Sequence, residues 1–249
     1  MFTRLLVGLD GSPRADSAFE QAVLLGTRFG STVVVAHVRE RNATDGGTAM
    51  LDRARERLVA AGLKAEVAAL EGEPDVELAE LAKTADAVLI GRRGVTTKGG
   101  ALGPTVSSLI RIAERCVFVC GGTTSPMQSC AVAFDGRDTS KRALELAIRF
   151  ATIVGSTVHV IHANADATAG LRVVGEAEAL LSMQRVAFVT HVEAGKPGEV
   201  VARVIKRTRC DGLFAGAHMT QRQGRPSAVV VSHAEEILRQ TDIPVVIQP

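Results

Sequence analysis

The sequence predicts an α/β protein built twice over: two consecutive domains, each an open parallel sheet with helices on both faces. Three observations predict it. Landmarks recur at a fixed spacing, Asp10 with Asp135, Gly30 with Gly155 and His37 with His162, each pair 125 residues apart. Within each half, short apolar runs alternate with longer stretches of helical periodicity, the pattern of a parallel sheet covered by helices. The runs themselves, such as TVVVAHV, are apolar almost without interruption, as strands are when both faces are covered.

The repeat organises the chain. VGLDGS at 7–12 answers VAFDGR at 132–137, and GSTVVVAH at 30–37 answers GSTVHVIH at 155–162. The same offset pairs Gly91 with Gly216 and Ser107 with Ser232, whereas EGEP and AGKP pair at 123, so a small indel lies between. The expected domains are residues 1–122 and 129–249, joined by the turn-rich GGTTSPMQ.

RLLVGL opens the first half as a strand. SPRADSAFEQAVLLGTRFG then reads as a helix: Ser12 is its N-cap, Pro13 its first residue and Gly30 its stop, with Ala18, Ala22, Leu25 and Phe29 on one face. TVVVAHV is the second strand, and the loop RNATDGG leads into the helix TAMLDRARERLVAAG. Strand KAEVAAL, helix PDVELAELAKTA, strand DAVLIG, helix TVSSLIRIAE and strand CVFVC complete five strands and four helices. The second half repeats the order, with a shorter segment between Ala163 and Gln184, and ends on IPVVI.

Composition narrows the function classes. The 249 residues carry 29 basic and 27 acidic side chains, a formal charge of +2, which gives no field suited to nucleic acid or an anionic membrane. The apolar run before Asp10 is too short for a signal peptide, and no stretch approaches the roughly 18 apolar residues of a membrane span. A cytoplasmic location is the default expectation. Cys116, Cys120, Cys130 and Cys210 show no C-x-x-C spacing and read as buried thiols, not as a zinc site or disulfides.

In open parallel sheets, ligands bind beyond the C-terminal ends of the strands, where neighbouring connections leave in opposite directions. Asp10 and Gly91 follow the first and fourth strands, so their loops meet at that edge. The loop GRRGVTTKGGALGPTVSS offers glycines and a helix start, the elements of an anion cradle.

On these residues both halves resemble the universal stress protein family. The resemblance rests on VGLDGS, on AHV closing the second strand, and on the Gly-x-x-Gly loop followed by a small-hydroxyl helix start. It covers almost the whole chain, twice. It implies a Rossmann-like sheet order of 3-2-1-4-5 and, in one branch of the family, ATP or a related adenine nucleotide, with Mg²⁺ as an optional companion. Asp10, with Gly11 and Ser12 beside it, would meet the adenine or ribose, and Val38 would border the adenine. Gly91, Arg92, Gly94 and the helix start Thr105, Val106 and Ser107 would take the phosphates. It also implies that fifth strands pair domains, so that CVFVC and IPVVI join the halves, and it leaves a homodimer open.

The branch pattern is Gly, two residues, Gly, nine residues, Gly, then Ser or Thr. This chain reads Gly91, Gly94, Pro104, Thr105. Proline has lost its N–H and holds φ near roughly −65°, yet it suits the first helical position, with Gly103 as N-cap and the N–H groups of Thr105, Val106 and Ser107 left available. One neutral donor forgone is worth on the order of 1 kcal/mol. Arg92, Arg93 and Lys98 could return part of it, against the plainer reading of Arg93 and Lys98 as solvated cations. Asp10 has its own structural alternative, as a helix cap.

The second half departs further. Gly216 remains, but Met219 replaces the second glycine, Val229 stands where nine residues would end, and Val231 falls at the third glycine when Ser232 is aligned. The expected nucleotide site is therefore in the N-terminal domain only, with the second domain serving packing and pairing. His159 and His162, three apart on a strand, point to opposite faces and cannot share a metal. His37 and His162 read as packed strand-end residues, and His218 and His233 as surface ones.

No catalytic or metal set is expected. Three readings stand in order: a nucleotide-binding regulatory protein, a ligand-free stress-response scaffold, and, last, a slow nucleotide hydrolase.

Overall fold

The structure is a computed structural model that describes residues 1–40, 47–94, 102–217, 221–222, 225–226, 237–238 and 240–249. The chain forms two units, Met1–Thr124 and Ser125–Pro249. The first runs β1 (Arg4–Gly8), α1 (Pro13–Phe29), β2 (Thr32–Arg39), α2 (Thr48–Ala60), β3 (Lys64–Glu71), α3 (Pro74–Ala82), β4 (Ala87–Gly91), α4 (Pro104–Ile112) and β5 (Cys116–Cys120). Its strands are all parallel, in the order β3-β2-β1-β4-β5. The chain leaves β1 toward β2 and leaves β4 toward β5, so the connections part between β1 and β4.

The second unit runs β6 (Ser129–Ala133), α5 (Asp138–Val154), β7 (Thr157–Ala163), α6 (Ala167–Met183), β8 (Phe188–Glu193), α7 (Pro197–Thr208) and β9 (Gly212–Gly216). A short antiparallel ribbon of β10 (Gln221–Arg222) and β11 (Arg225–Pro226) follows, then β12 (Val245–Gln248). The parallel order β8-β7-β6-β9-β12 repeats that of the first unit. The shortening read from the sequence falls in the connection: α6 has 17 residues against 13 in α2, but it starts closer to the strand before it.

Local chemistry accounts for these elements. Ser12 caps α1 by accepting the Ala15 N–H at 3.1 Å, and Gly30 ends it with φ of 66°. The face that α1 turns inward carries Ala15, Ala18, Phe19, Ala22 and Leu25, all buried. Phe29, expected on that face, is only half-buried, its ring edge-on to Phe2 with centroids 5.4 Å apart. In α5 the cap position holds Arg137, with no side-chain cap, while Gly155 ends the helix with φ of 80°. The central strands are sealed on both faces: Leu5, Leu6, Val7, Ala87, Val88 and Leu89 have no exposed surface. All four cysteines are free thiols buried in these cores.

A duplicated carboxylate clamps the opposite rim of each sheet. Asp86 accepts the Thr3 N–H at 2.6 Å, the Thr3 hydroxyl at 2.8 Å and the Arg4 N–H at 3.0 Å. Asp211 accepts the Ser125 hydroxyl and the N–H groups of Gln128 and Ser129 at 2.7–3.1 Å. Burial alone would raise the Asp86 carboxyl, but the bonds from Thr3 and Arg4 outweigh it and hold the group below the usual carboxylate range.

At the other rim, the ends of β4 and β9 touch the starts of α1 and α5. A Cβ on Gly91 would lie 2.5 Å from the Arg14 carbonyl carbon, and one on Gly216 would lie 2.5 Å from that of Thr139. Both neighbours are helix backbone, which cannot rotate away. Gly216→Ala is therefore expected to destabilise the second unit by about 1–3 kcal/mol. Urea unfolding followed by far-UV circular dichroism tests this, and an unchanged midpoint would show that α5 can give way.

Candidate functional site

Where the connections part, the first unit opens into a cavity of about 530 Å³, within the range of small-molecule sites. The loop after β1 (Leu9, Asp10, Gly11, Ser12) forms its floor. One wall comes from the end of β2 (Ala36 to Arg39) with Gly47, Met50 and Arg53 at and in α2, and Pro74 and Leu78 of α3. The other comes from Ile90, Gly91, Arg93 and Gly94 after β4 and from Gly103 to Val106 at the start of α4.

Asp10 is exposed on this floor, and its Oδ1 accepts the Ser12 N–H at 2.9 Å. That is an Asx turn, with Gly11 at φ of 78°. The helix cap itself is Ser12, so the capping alternative weighed for Asp10 belongs to its neighbour. The second carboxylate oxygen stands where a side chain on Gly94 would be, 2.7 Å from its Cβ position. The Ser12 hydroxyl also reaches the Arg93 carbonyl at 3.4 Å, tying the two loops.

Not every residue expected at the anion end lines the cavity. The bare side of Gly91 faces the backbone of Arg14 and Ala15, so its missing side chain makes room for a helix as well as edging the cavity. Arg92 lies outside the lining: the residue is only 4% exposed and its N–H continues the sheet by bonding to the Cys120 carbonyl at 2.9 Å. Arg93, for which the sequence left both a phosphate contact and a solvated cation open, lines the cavity, as do Arg39 and Arg53 on the facing wall. Ser107 also falls outside the lining, because as the fourth helical residue it donates its N–H to Gly103 at 3.0 Å.

Pro104 takes the first position of α4, with Gly103 as N-cap at φ −66°, ψ 151°. The N-cap is extended, so no left-handed backbone is needed there and proline fits without strain. The cap has no side-chain bond. Among the described residues nothing accepts from the N–H groups of Thr105 and Val106, and both residues edge the cavity. Val38 is buried in the opposite wall. Lys98 lies outside the described residues.

His37 donates from Nδ1 to the Leu9 carbonyl at 2.8 Å, and His162 does the same to Phe134 at 2.8 Å. Each ring locks its second strand to the first. A Cβ on Gly47 would collide with the His37 ring at 2.4 Å, so α2 can begin only with a glycine here. Met50, Arg53, Pro74 and Leu78 were not foreseen, because no local motif tells which turn of a helix lies over a distant strand end.

The second unit keeps the Asx turn but changes its surroundings. Asp135 Oδ1 accepts the Arg137 N–H at 3.0 Å, Gly136 has φ of 78°, and the Arg137 guanidinium lies 3.7 Å from the same carboxylate. Met219, Val229, Val231, Ser232, His218 and His233 lie outside the described residues. His162 sits under α6, near Gly170, and His159 is on the other face, bonded to His191. Among the described residues, no group of three or more His, Cys, Asp and Glu could hold a metal, and no helix is long and apolar enough to cross a membrane.

An open parallel sheet with a crevice where its connections part, and a helix start facing that crevice, defines a Rossmann-like domain. The chain matches the universal stress protein family model twice, over residues 1–120 and 127–249, and belongs to that family. Its tandem form is similar to a universal stress protein from Archaeoglobus fulgidus DSM 4304, 21% identical with a TM-score of 0.79, covering 99% of this chain and 98% of that one. A functionally unknown protein from Pseudomonas aeruginosa PAO1 is 18% identical, with a TM-score of 0.75, over 99% of this chain and 92% of that one. A universal stress protein solved in complex with cAMP matches 47% of this chain and 95% of its own, at 26% identity and a TM-score of 0.41. Among curated proteins, none matches the chain.

Ser12 joins the cavity floor to the stability of α1. Ser12→Ala is expected to cost the first unit about 1 kcal/mol, the usual price of a lost cap, with the second unit unaffected. Chemical unfolding of the variant beside wild type checks it.

Proposed function

We propose that the first unit binds an adenine nucleotide, ATP or a close relative, and that occupancy is itself the regulatory signal. The observation that carries this reading is the pair of N–H groups of Thr105 and Val106, without an acceptor among the described residues, opening with Arg93 onto the cavity. A helix start and a guanidinium favour phosphate. Across the cavity, Ala36, Val38, Pro74, Leu78 and Ile90 make an aliphatic slot for a base. Asp10, between the two, has a carboxylate suited to ribose hydroxyls. Among the described residues no phenylalanine lines the slot, so the base would be held by aliphatic and main-chain contacts beside the His37 ring. Mg²⁺ would enter with the phosphates, since the described residues offer no cluster for it alone.

The second unit supports packing and pairing in this reading, because Arg137 occupies the capping position and confronts the carboxylate that would meet a ribose. Pro104 favours the competing reading, a ligand-free scaffold, since it removes a donor from the anion end.

Ligand released by heat from freshly purified protein and identified by mass spectrometry tests the first reading, followed by titration with ATP and AMP. Gly94→Val drives a branched side chain into Asp10 and is expected to weaken binding at least about tenfold, roughly 1.4 kcal/mol or more. Pro104→Ala restores one N–H and is expected to tighten it about fivefold, from roughly 1 kcal/mol. No released ligand and no binding of either nucleotide would leave the scaffold reading.

A further inference from the structure

The second unit holds a polar chain that the nucleotide reading does not use. On the face of β7 and β8 that packs under α7, His159 Nδ1 and His191 Nε2 are 3.1 Å apart. Their ring centroids are 5.3 Å apart and the planes only 15° from parallel. That separation exceeds the nitrogen–nitrogen distance by about two ring radii, so the nitrogens point straight at each other. This is the geometry of an N–H···N bond. A chelated cation would need both lone pairs to converge on a point off that line.

The direction of the bond follows from the next member. Arg207 Nη2 faces His191 Nδ1 at 3.5 Å, a long contact, but arginine can only donate. His191 Nδ1 therefore accepts, its proton sits on Nε2, and that proton is given to His159 Nδ1. Arg207 also donates to Glu193 at 2.6 Å, and Arg203 reaches the other oxygen of Glu193 at 2.9 Å. The chain thus fastens β8, an edge strand of its sheet, to the last turns of α7.

We propose that this chain is an acid-released latch: uptake of one proton by the His159–His191 pair breaks it and frees β8 from α7. A proton on His159 Nδ1 would meet the Nε2–H of His191, donor against donor. A proton on His191 Nδ1 would meet the Arg207 guanidinium, cation against cation. Either product must give up one link.

The charged groups facing the pair are Arg203 and Arg207 on α7 and Glu193 on β8; Glu178 of α6 lies on the opposite face, bonded to Thr190. The bond from Arg207, with a second from Arg203, outweighs the opposing effect of burial and holds Glu193 below the usual carboxylate range, so it stays ionised in the acid window. Burial lowers both imidazoles, and for His191 the neighbouring His159 and Arg207 add to it against the pull of Glu193. A depressed imidazole takes its proton more readily in the opened state. The latch is thus fully closed above the ordinary imidazole value of about 6.5 and is lost as pH falls through the lowered value.

Imidazole C–H resonances of the wild-type chain, followed by NMR from pH 8 to pH 5 (about the span in which histidine titrates), give the first test. His159 and His191 should titrate below the ordinary value. Hydrogen-exchange protection of the β8 amides should fall roughly threefold or more between about pH 7 and pH 5. In a doubly substituted His159→Gln, His191→Gln chain, whose amides keep polar contacts but take no proton, that fall should vanish. Titration of both rings at or above the ordinary value, or an equal fall in the double variant, would overturn the latch.

Discussion

The close approach of α1 to the end of β4 is the constraint from which the upper rim of the first unit follows. Helix backbone lies where a Cβ on Gly91 would be, so residue 91 must lack a side chain if Arg14 and Ala15 are to sit on the sheet. Once that turn is seated, Ser12 closes the helix, Gly11 turns the chain with positive φ, and Asp10 comes to stand beside Gly94. Two loops some eighty residues apart in sequence thereby share one floor. The same contact between Gly216 and Thr139 in the second unit shows that it serves the fold before it serves any ligand.

The two units then diverge by small steps with large local effects. Replacing Ser12 by its counterpart Arg137 removes a side-chain cap and brings a guanidinium to the Asx-turn carboxylate. Ser140 takes over part of the lost bonding, donating to the Arg137 carbonyl and accepting the Asp135 N–H at 3.3 Å. Starting α6 nearer its strand presses Gly170 against Val192, with a Cβ position 2.4 Å from its methyl. These changes alter charge and room at the rim while leaving the strand order intact.

Much of this was legible in the sequence because it is local. Ser12, Pro13 and Gly30 announce α1 through capping chemistry, and the apolar runs announce strands because both their faces are covered. Pro104 at the first position of α4, with Gly103 before it, was readable from proline's fixed φ alone. What escaped depends on long-range register. The sequence near Gly91 does not say that its bare side faces a helix, nor that Arg92 is buried while Arg93 lines the cavity. Ser107, as the fourth helical residue, already gives its N–H to the N-cap carbonyl of Gly103, a pairing that depends on where the helix begins. His191 became the mate of His159 only when β8 took its place beside β7.

Asp86 and Asp211 stitch each sheet together at its lower margin, remote from the loops that differ between the halves. Because these two carboxylates sit at one end of the strands, the loops at the other end can differ in charge, caps and connection length without touching them.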